Sequence, residues 1–270
     1  MSVPSATMAV WASAWLHGAA AADDVLDALT AWGELQEVVA ADHETADRTG
    51  LPVDGERAAG LALWLAALRR LGADGAALVL PVPGDVRGLG GAGPAMRPAL
   101  ERGEAVVFPA AGLTAVPDDV AEGVLRWTVF PLSGSPGTDH TPIGEAEHGM
   151  TIAVREAAET LVSLDVARHR PNVRAEIAEF ISARPRLAWP PAMPPRSLRV
   201  LERANEVEAI LHAALSDGTG GAVSASAARA RTEALKPLSD AVRGARCVAV
   251  AEAVRRLRHS RQDITGGNNS

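Results

Sequence analysis

The sequence predicts an α+β protein of two unlike parts: an N-terminal part with a small mixed sheet flanked by helices, and a C-terminal antiparallel helical bundle. Three observations predict it. Short apolar runs bounded by turn residues alternate with helical patterns over residues 35–132. Beyond residue 149 only helical patterns recur. The charge also changes sign: residues 1–150 hold 8 Arg against 20 Asp and Glu, whereas 151–270 hold 17 Arg and one Lys against 13 acids. The expected division is an α/β-type part over 1–135, a linker loop over 136–148, a helical part over 149–262 and a disordered tail over 263–270.

The first element is a helix. Trp11 and Trp15 are spaced i, i+4, as on a buried helical face. No Lys or Arg precedes this apolar run, so a secretory signal is not expected. "DDVLDALTAWG" has acid at its start and Gly33 at its end, which suits a helix dipole and a C-cap. "LQEVVA" reads as a short strand, Leu35–Ala40. In "GERAAGLALWLAALRRLGADG" the residues Leu61, Trp64, Leu65 and Leu68 recur at helical spacing, with Arg69 and Arg70 in the last turn. "AALVLPV", "EAVVFPA" and "GVLRWTVFPL" read as three strands. A two-turn helix fits Ala95–Arg102.

Residues 133–148, "SGSPGTDHTPIGEAEH", are turn-formers and polar residues and predict a loop. Helices are expected over 150–168, 171–183, 196–216, 222–236 and 238–260, with Pro237 as a break. Ser197 is a candidate N-cap. "WPPAMPPR" reads as a stiff connector that folds Trp189 back onto the bundle, or as a polyproline recognition segment.

Composition limits the function classes. The chain has 270 residues, 54 Ala, 25 Arg, one Lys, one Cys and no Tyr, a bias that GC-rich coding accounts for. Lone Cys247 excludes an intramolecular disulfide and a cysteine-based zinc site, and a reducing bacterial cytoplasm fits it. A net charge of -7 argues against general nucleic-acid affinity. No run is long enough for a membrane span.

Two stretches carry candidate chemistry. Gly88-Leu89-Gly90-Gly91-Ala92-Gly93 fits the spacing of a dinucleotide fingerprint. It fails the mechanism, because "PGDVR" separates it from the strand, Pro94 and Pro98 bracket the following helix, and no acid ends the next strand. A small anionic ligand remains conceivable there, on the backbone NH groups of Gly88, Gly90 and Gly93 and the guanidinium groups of Arg87 and Arg97, with Asp85 beside them. "TDHTPIGEAEH" brings Asp139, His140, Glu145 and His148, residue types that bind zinc or manganese, at a spacing that matches no metal motif.

Two functional readings follow. The first is a non-catalytic protein-interaction or regulatory module with no cofactor, acting on a protein partner or as a homo-oligomer. The second is a small-anion-binding protein or enzyme, with the 84–97 and 139–148 loops converging on one cleft.

Overall fold

The computed structural model describes residues 3–137, 141–163, 173–215 and 225–266. Its helices are α1 (Pro4–Leu16), α2 (Ala22–Thr30), α3 (His43–Thr49), α4 (Leu61–Arg70), α5 (Met96–Arg102), α6 (Ile143–Ser163), α7 (Val173–Ser182), α8 (Pro195–Leu215) and α9 (Ala225–Gly266). Its strands are β1 (Leu35–Ala40), β2 (Ala59–Gly60), β3 (Ala77–Val79), β4 (Ala105–Phe108), β5 (Leu113–Ala121) and β6 (Val124–Pro131). This is the mixed α+β composition the sequence predicts. The chain divides into two compact units, and the first is discontinuous: residues 3–137 with 186–194 and 250–266. The second comprises the described residues of 141–185 and 195–249.

In the first unit the strands form one mixed sheet of order β2-β1-β6-β5-β4-β3. β1 and β6 run parallel and all other pairs antiparallel. The two-residue period of the strands separates the faces. Val38, Trp127, Val129, Ala115, Val106 and Phe108 share one face by register. Helices α1, α2 and α4 pack on the strands, and Trp64 of α4 meets Phe108 edge-on at 5.6 Å. Val79, Ala105, Val107, Val116 and Phe130 form the other face, packed with Leu89, Ala95 and Ala99 from the glycine loop and α5.

Several buried polar groups of this unit are paired across elements. Gln36 donates to the Leu29 and Gly33 carbonyls and accepts from Trp127 Nε1, all at 3.0 Å. Helix α1 has no side-chain cap of its own; instead Glu104 Oε2 accepts from Ser5 N at 2.9 Å. Its residues Ser5–Trp15 are all buried. The proline segment helps bury it, since Trp11 Nε1 donates to Ala188 O at 3.0 Å. Trp189 therefore lies in a segment of the first unit, contrary to the expected return onto the bundle. The end of α9 also belongs here: Val250, Ala253, Val254 and Leu257 are buried, and Arg258 Nη2 binds Asp74 Oδ1 at 3.0 Å.

Strand β5 is missing from the sequence-based elements, because Pro117, Asp118 and Asp119 interrupt its apolar pattern. The structure shows why they are allowed. β4 pairs with β5 only between Leu113 and Ala115, so Pro117 lies past the ladder on that edge. Arg102 reaches Asp118 and Asp119 at 2.9 and 2.7 Å.

In the second unit α8 packs against α6 and α7. Val200, Leu201, Ala204, Val207 and Leu211 form its buried stripe. Glu208 binds two guanidinium groups, Arg246 at 2.7 Å and Arg184 at 2.9 Å. Burial lowers the pKa of Arg246 to about 10 and also that of Arg184.

Two further expectations are corrected. Pro237 does not divide two helices: α9 runs through it as one helix of 42 residues. Leu235, Leu238 and Val242 are buried around it, and their packing outweighs one missing backbone donor. Ser197 is no N-cap either. It lies inside α8, fully buried, with an unpaired hydroxyl.

Candidate functional site

The glycine loop is a cover for the sheet. After β3 the chain turns tightly, with reciprocal Val82–Asp85 backbone bonds of 3.0 and 2.8 Å. Gly88, at φ +94°, lies so close to Val79 that a Cβ would sit 2.9 Å from Val79 Cγ2. Gly90, at φ +76°, abuts the backbone of Gly134, and Gly93 abuts the Ser133 side chain. Leu89 between them is buried against the sheet. The glycines thus meet packing and left-handed backbone requirements.

The nearby charges are engaged. Arg87 grips Asp85 through Nε at 2.8 Å and Nη2 at 3.1 Å. Arg97 binds Glu101 one turn along α5 at 2.7 Å. Asp85, Arg87, Gly88, Gly90 and Gly93 share one loop, with Arg97 on the helix that follows.

Of the expected metal set, Asp139 and His140 lie outside the described residues. Glu145 and His148 do not sit in a loop: they occupy the first turns of α6, which begins at Ile143. Pro142 O accepts from Glu145 N at 2.9 Å, and an acid in the first turn suits the helix dipole. Among the described residues no group of three His, Cys, Asp or Glu side chains is placed to hold a metal ion.

A different surface has the geometry of a site. Helix α4 turns Leu61, Trp64, Leu65 and Leu68 inward. Ala62, Ala66 and Arg69, at i, i+4 and i+7, face outward. The short alanine side chains leave a trough of about 400 Å³, lined by Trp15, Ala22, Ala62, Leu65, Ala66, Arg69 and Arg70. The Arg69 guanidinium lies 3.9 Å from the centre of the Trp15 ring, a cation–π contact. Arg70 Nη2 donates to Arg48 O at 3.0 Å. Leu63, 44% exposed, extends the apolar strip at i−3 from Ala66 and i−7 from Arg70. Helix α2 lines the groove with Ala22 and carries Asp23, Asp24 and Asp27, all exposed.

The sequence pattern alone missed this groove. The Ala62–Ala66–Arg69 spacing was legible, but such a stripe reads as an ordinary solvated helix face. Only the approach of α1 and α2 gives it a floor and a wall. A second hollow, of about 350 Å³, lies in the other unit beside Phe180 and His212, whose rings stack at 4.1 Å.

No helix among the described residues is long and apolar enough to cross a membrane. The chain resembles three mycobacterial proteins along nearly its whole length. Uncharacterized protein Rv1486c of Mycobacterium tuberculosis (strain ATCC 25618 / H37Rv) is 39% identical over 282 residues, 93% of this chain and 96% of that protein. Uncharacterized protein ML1804 of Mycobacterium leprae (strain TN) is 34% identical over 288 residues, 93% and 97% of the two chains. Uncharacterized protein MAV321 of Mycobacterium avium is 34% identical over 300 residues, with the same coverage. No solved structure matches. Residues 5–141 match the N-terminal domain of the Rv1486c-like proteins and residues 144–247 match their C-terminal domain. With both domains present in order, the chain belongs to the Rv1486c-like protein family.

Proposed function

We propose that the chain is a non-catalytic protein-interaction or regulatory module whose docking surface is the groove between α1, α2 and α4. One observation carries the reading: a tryptophan roofed by an arginine at the edge of an exposed apolar strip. Trp and Arg are enriched among residues that dominate binding energy, and small residues around them let a partner approach closely. The groove is open and shallow, as a protein surface requires. The small-anion reading has less support, since Arg87 and Arg97 each already hold a carboxylate and the loop glycines serve packing.

The test is a photo-crosslinking residue placed at position 66 in cells. The reading expects a protein adduct of defined mass that disappears when Arg69→Glu is added. The rival outcome is no adduct, together with a thermal shift by a phosphorylated metabolite that Arg87→Ala abolishes.

A further inference from the structure

We propose that the Arg184–Glu208–Arg246 cluster of the helical unit is a binding site for a small oxyanion of the phosphate type. Three elements build it: the turn after α7 supplies Arg184, α8 supplies Glu208 and α9 supplies Arg246. Both guanidinium groups close on one oxygen. Glu208 Oε2 accepts from Arg184 Nη2 at 2.9 Å and from Arg246 Nη2 at 2.7 Å, and Oε1 accepts from Arg246 Nη1 at 3.1 Å. Two cations thus share a single anion. Among the described residues neither of them meets a second carboxylate. On the same helices, Glu206 holds Arg203 at 2.9 Å and Asp240 holds Arg243 at 3.2 Å.

The surplus positive charge is buried. The Arg246 side chain is 6% exposed and that of Arg184 17%. Burial, and then the neighbouring Arg246 charge, lower the pKa of Arg184. Arg246, brought down to about 10, still carries its charge at neutral pH. Donors are left over as well: Arg184 Nη1 and Arg246 Nε are buried without a hydrogen-bond partner. An unpaired N–H of a buried charged group is costly. Water would satisfy such donors but not the charge. An oxyanion does both, and guanidinium forks match its oxygens. The cluster reaches solvent at Glu208, 25% exposed, and at Arg184, so an ion enters there. The Arg184 guanidinium lies 4.4 Å from the centre of the Phe180 ring, a flat face along which it can shift to bring Nη1 onto the ion. With Arg246 enclosed, only a small ion comes within its reach. The glycine-loop arginines differ, since Arg87 and Arg97 are exposed and each has a carboxylate to itself.

The experiment titrates inorganic phosphate onto the full chain in phosphate- and sulfate-free buffer, followed by calorimetry and thermal melting, with sodium chloride at matched ionic strength as the control. Phosphate is expected to raise the melting temperature, because it binds the folded cluster alone, and chloride is not. Arg184→Ala is expected to weaken phosphate binding about tenfold or more, the usual worth of a hydrogen bond to a charged group. Glu208→Gln removes the competing carboxylate and separates an anion site from a purely structural ion pair. It is expected to melt below the wild type without phosphate, to bind phosphate about tenfold more tightly and to recover its melting temperature when phosphate is added. Arg87→Ala is expected to respond as the wild type does. Far-UV circular dichroism confirms that each variant is folded. No phosphate response in the wild type, or one that chloride reproduces, overturns the proposal. So does binding indifferent to Arg184→Ala, or a Glu208→Gln chain that phosphate does not stabilise, which leaves the cluster as a structural ion pair. Loss of the response in Arg87→Ala alone overturns it by placing the anion at the glycine loop.

Discussion

Glu104 is a carboxylate where a carboxylate is costly. Burial pushes its pKa up to about 7, and neighbouring Ser5, whose backbone N–H donates to it, with the nearby Arg102 charge, only partly offsets this. The folded chain therefore holds a proton that the unfolded chain releases. The linked stability is fully present below about pH 4.5 and is lost as pH rises through about 7. The difference amounts to about 3 kcal/mol at 1.36 kcal/mol per unit. Glu104→Gln keeps an acceptor for Ser5 N without the charge. It is expected to raise stability at pH 8 by about 2 kcal/mol and to change little at pH 5. Denaturant unfolding at both pH values checks this, and equal effects at the two would rule it out. Gln36 is the neutral counterpart: its three bonds satisfy two carbonyls and an indole. Gln36→Ala strands all three groups and is expected to cost about 3 kcal/mol by the same measurement. Gly90→Ala must both hold a left-handed φ and clear the Gly134 backbone, so a loss of about 2 kcal/mol or more is expected.

At the scale of elements, strong periodicity was legible and compensated irregularity was not. Helices α1, α2 and α4 and strands β1, β4 and β6 follow from apolar spacing in their own residues. Strand β5 does not, because its proline and aspartates are accommodated by where β4 ends and by Arg102 on α5. Pro237 misled in the opposite direction, since packing on either side carries α9 through it. Helix α9 thus retains a local cost. Pro237→Ala restores one backbone donor and is expected to raise the melting temperature, with a gain of about 1–3 kcal/mol. A lowered melting temperature would mean that the proline's shape is needed for packing.

For the whole molecule, the decisive fact is that the sheet-containing unit is not a single stretch of chain. Residues 186–194 and 250–266 complete it. A fragment ending at residue 141 keeps the entire family-matched N-terminal domain yet lacks residues 186–194, which meet α1 at Trp11, and the end of α9, which meets Asp74. It is expected to expose apolar surface and to bind a hydrophobic dye, and the full chain is not. Leu257→Ala in the full chain is expected to cost about 2–4 kcal/mol, as a fully buried leucine does. If the fragment is soluble and melts cooperatively like the full chain, the C-terminal segments are dispensable to that unit.

By itself the sequence determined the α+β class, most helices, the strands β1, β3, β4 and β6 and the charge contrast between the halves. These depend on periodicity and composition, which are properties of neighbouring residues. It also showed that the glycine loop departs from a nucleotide fingerprint, because turn, helix and ribose-binding acid are all local requirements. Only the tertiary structure decided what the glycines do, since their constraints come from Val79, Ser133 and Gly134. The groove is non-local in the same way. Trp15 and Arg69 are 54 positions apart in sequence and 3.9 Å apart in space. An apolar floor and a short-side-chain wall become one surface only when three separate helices pack on the same sheet.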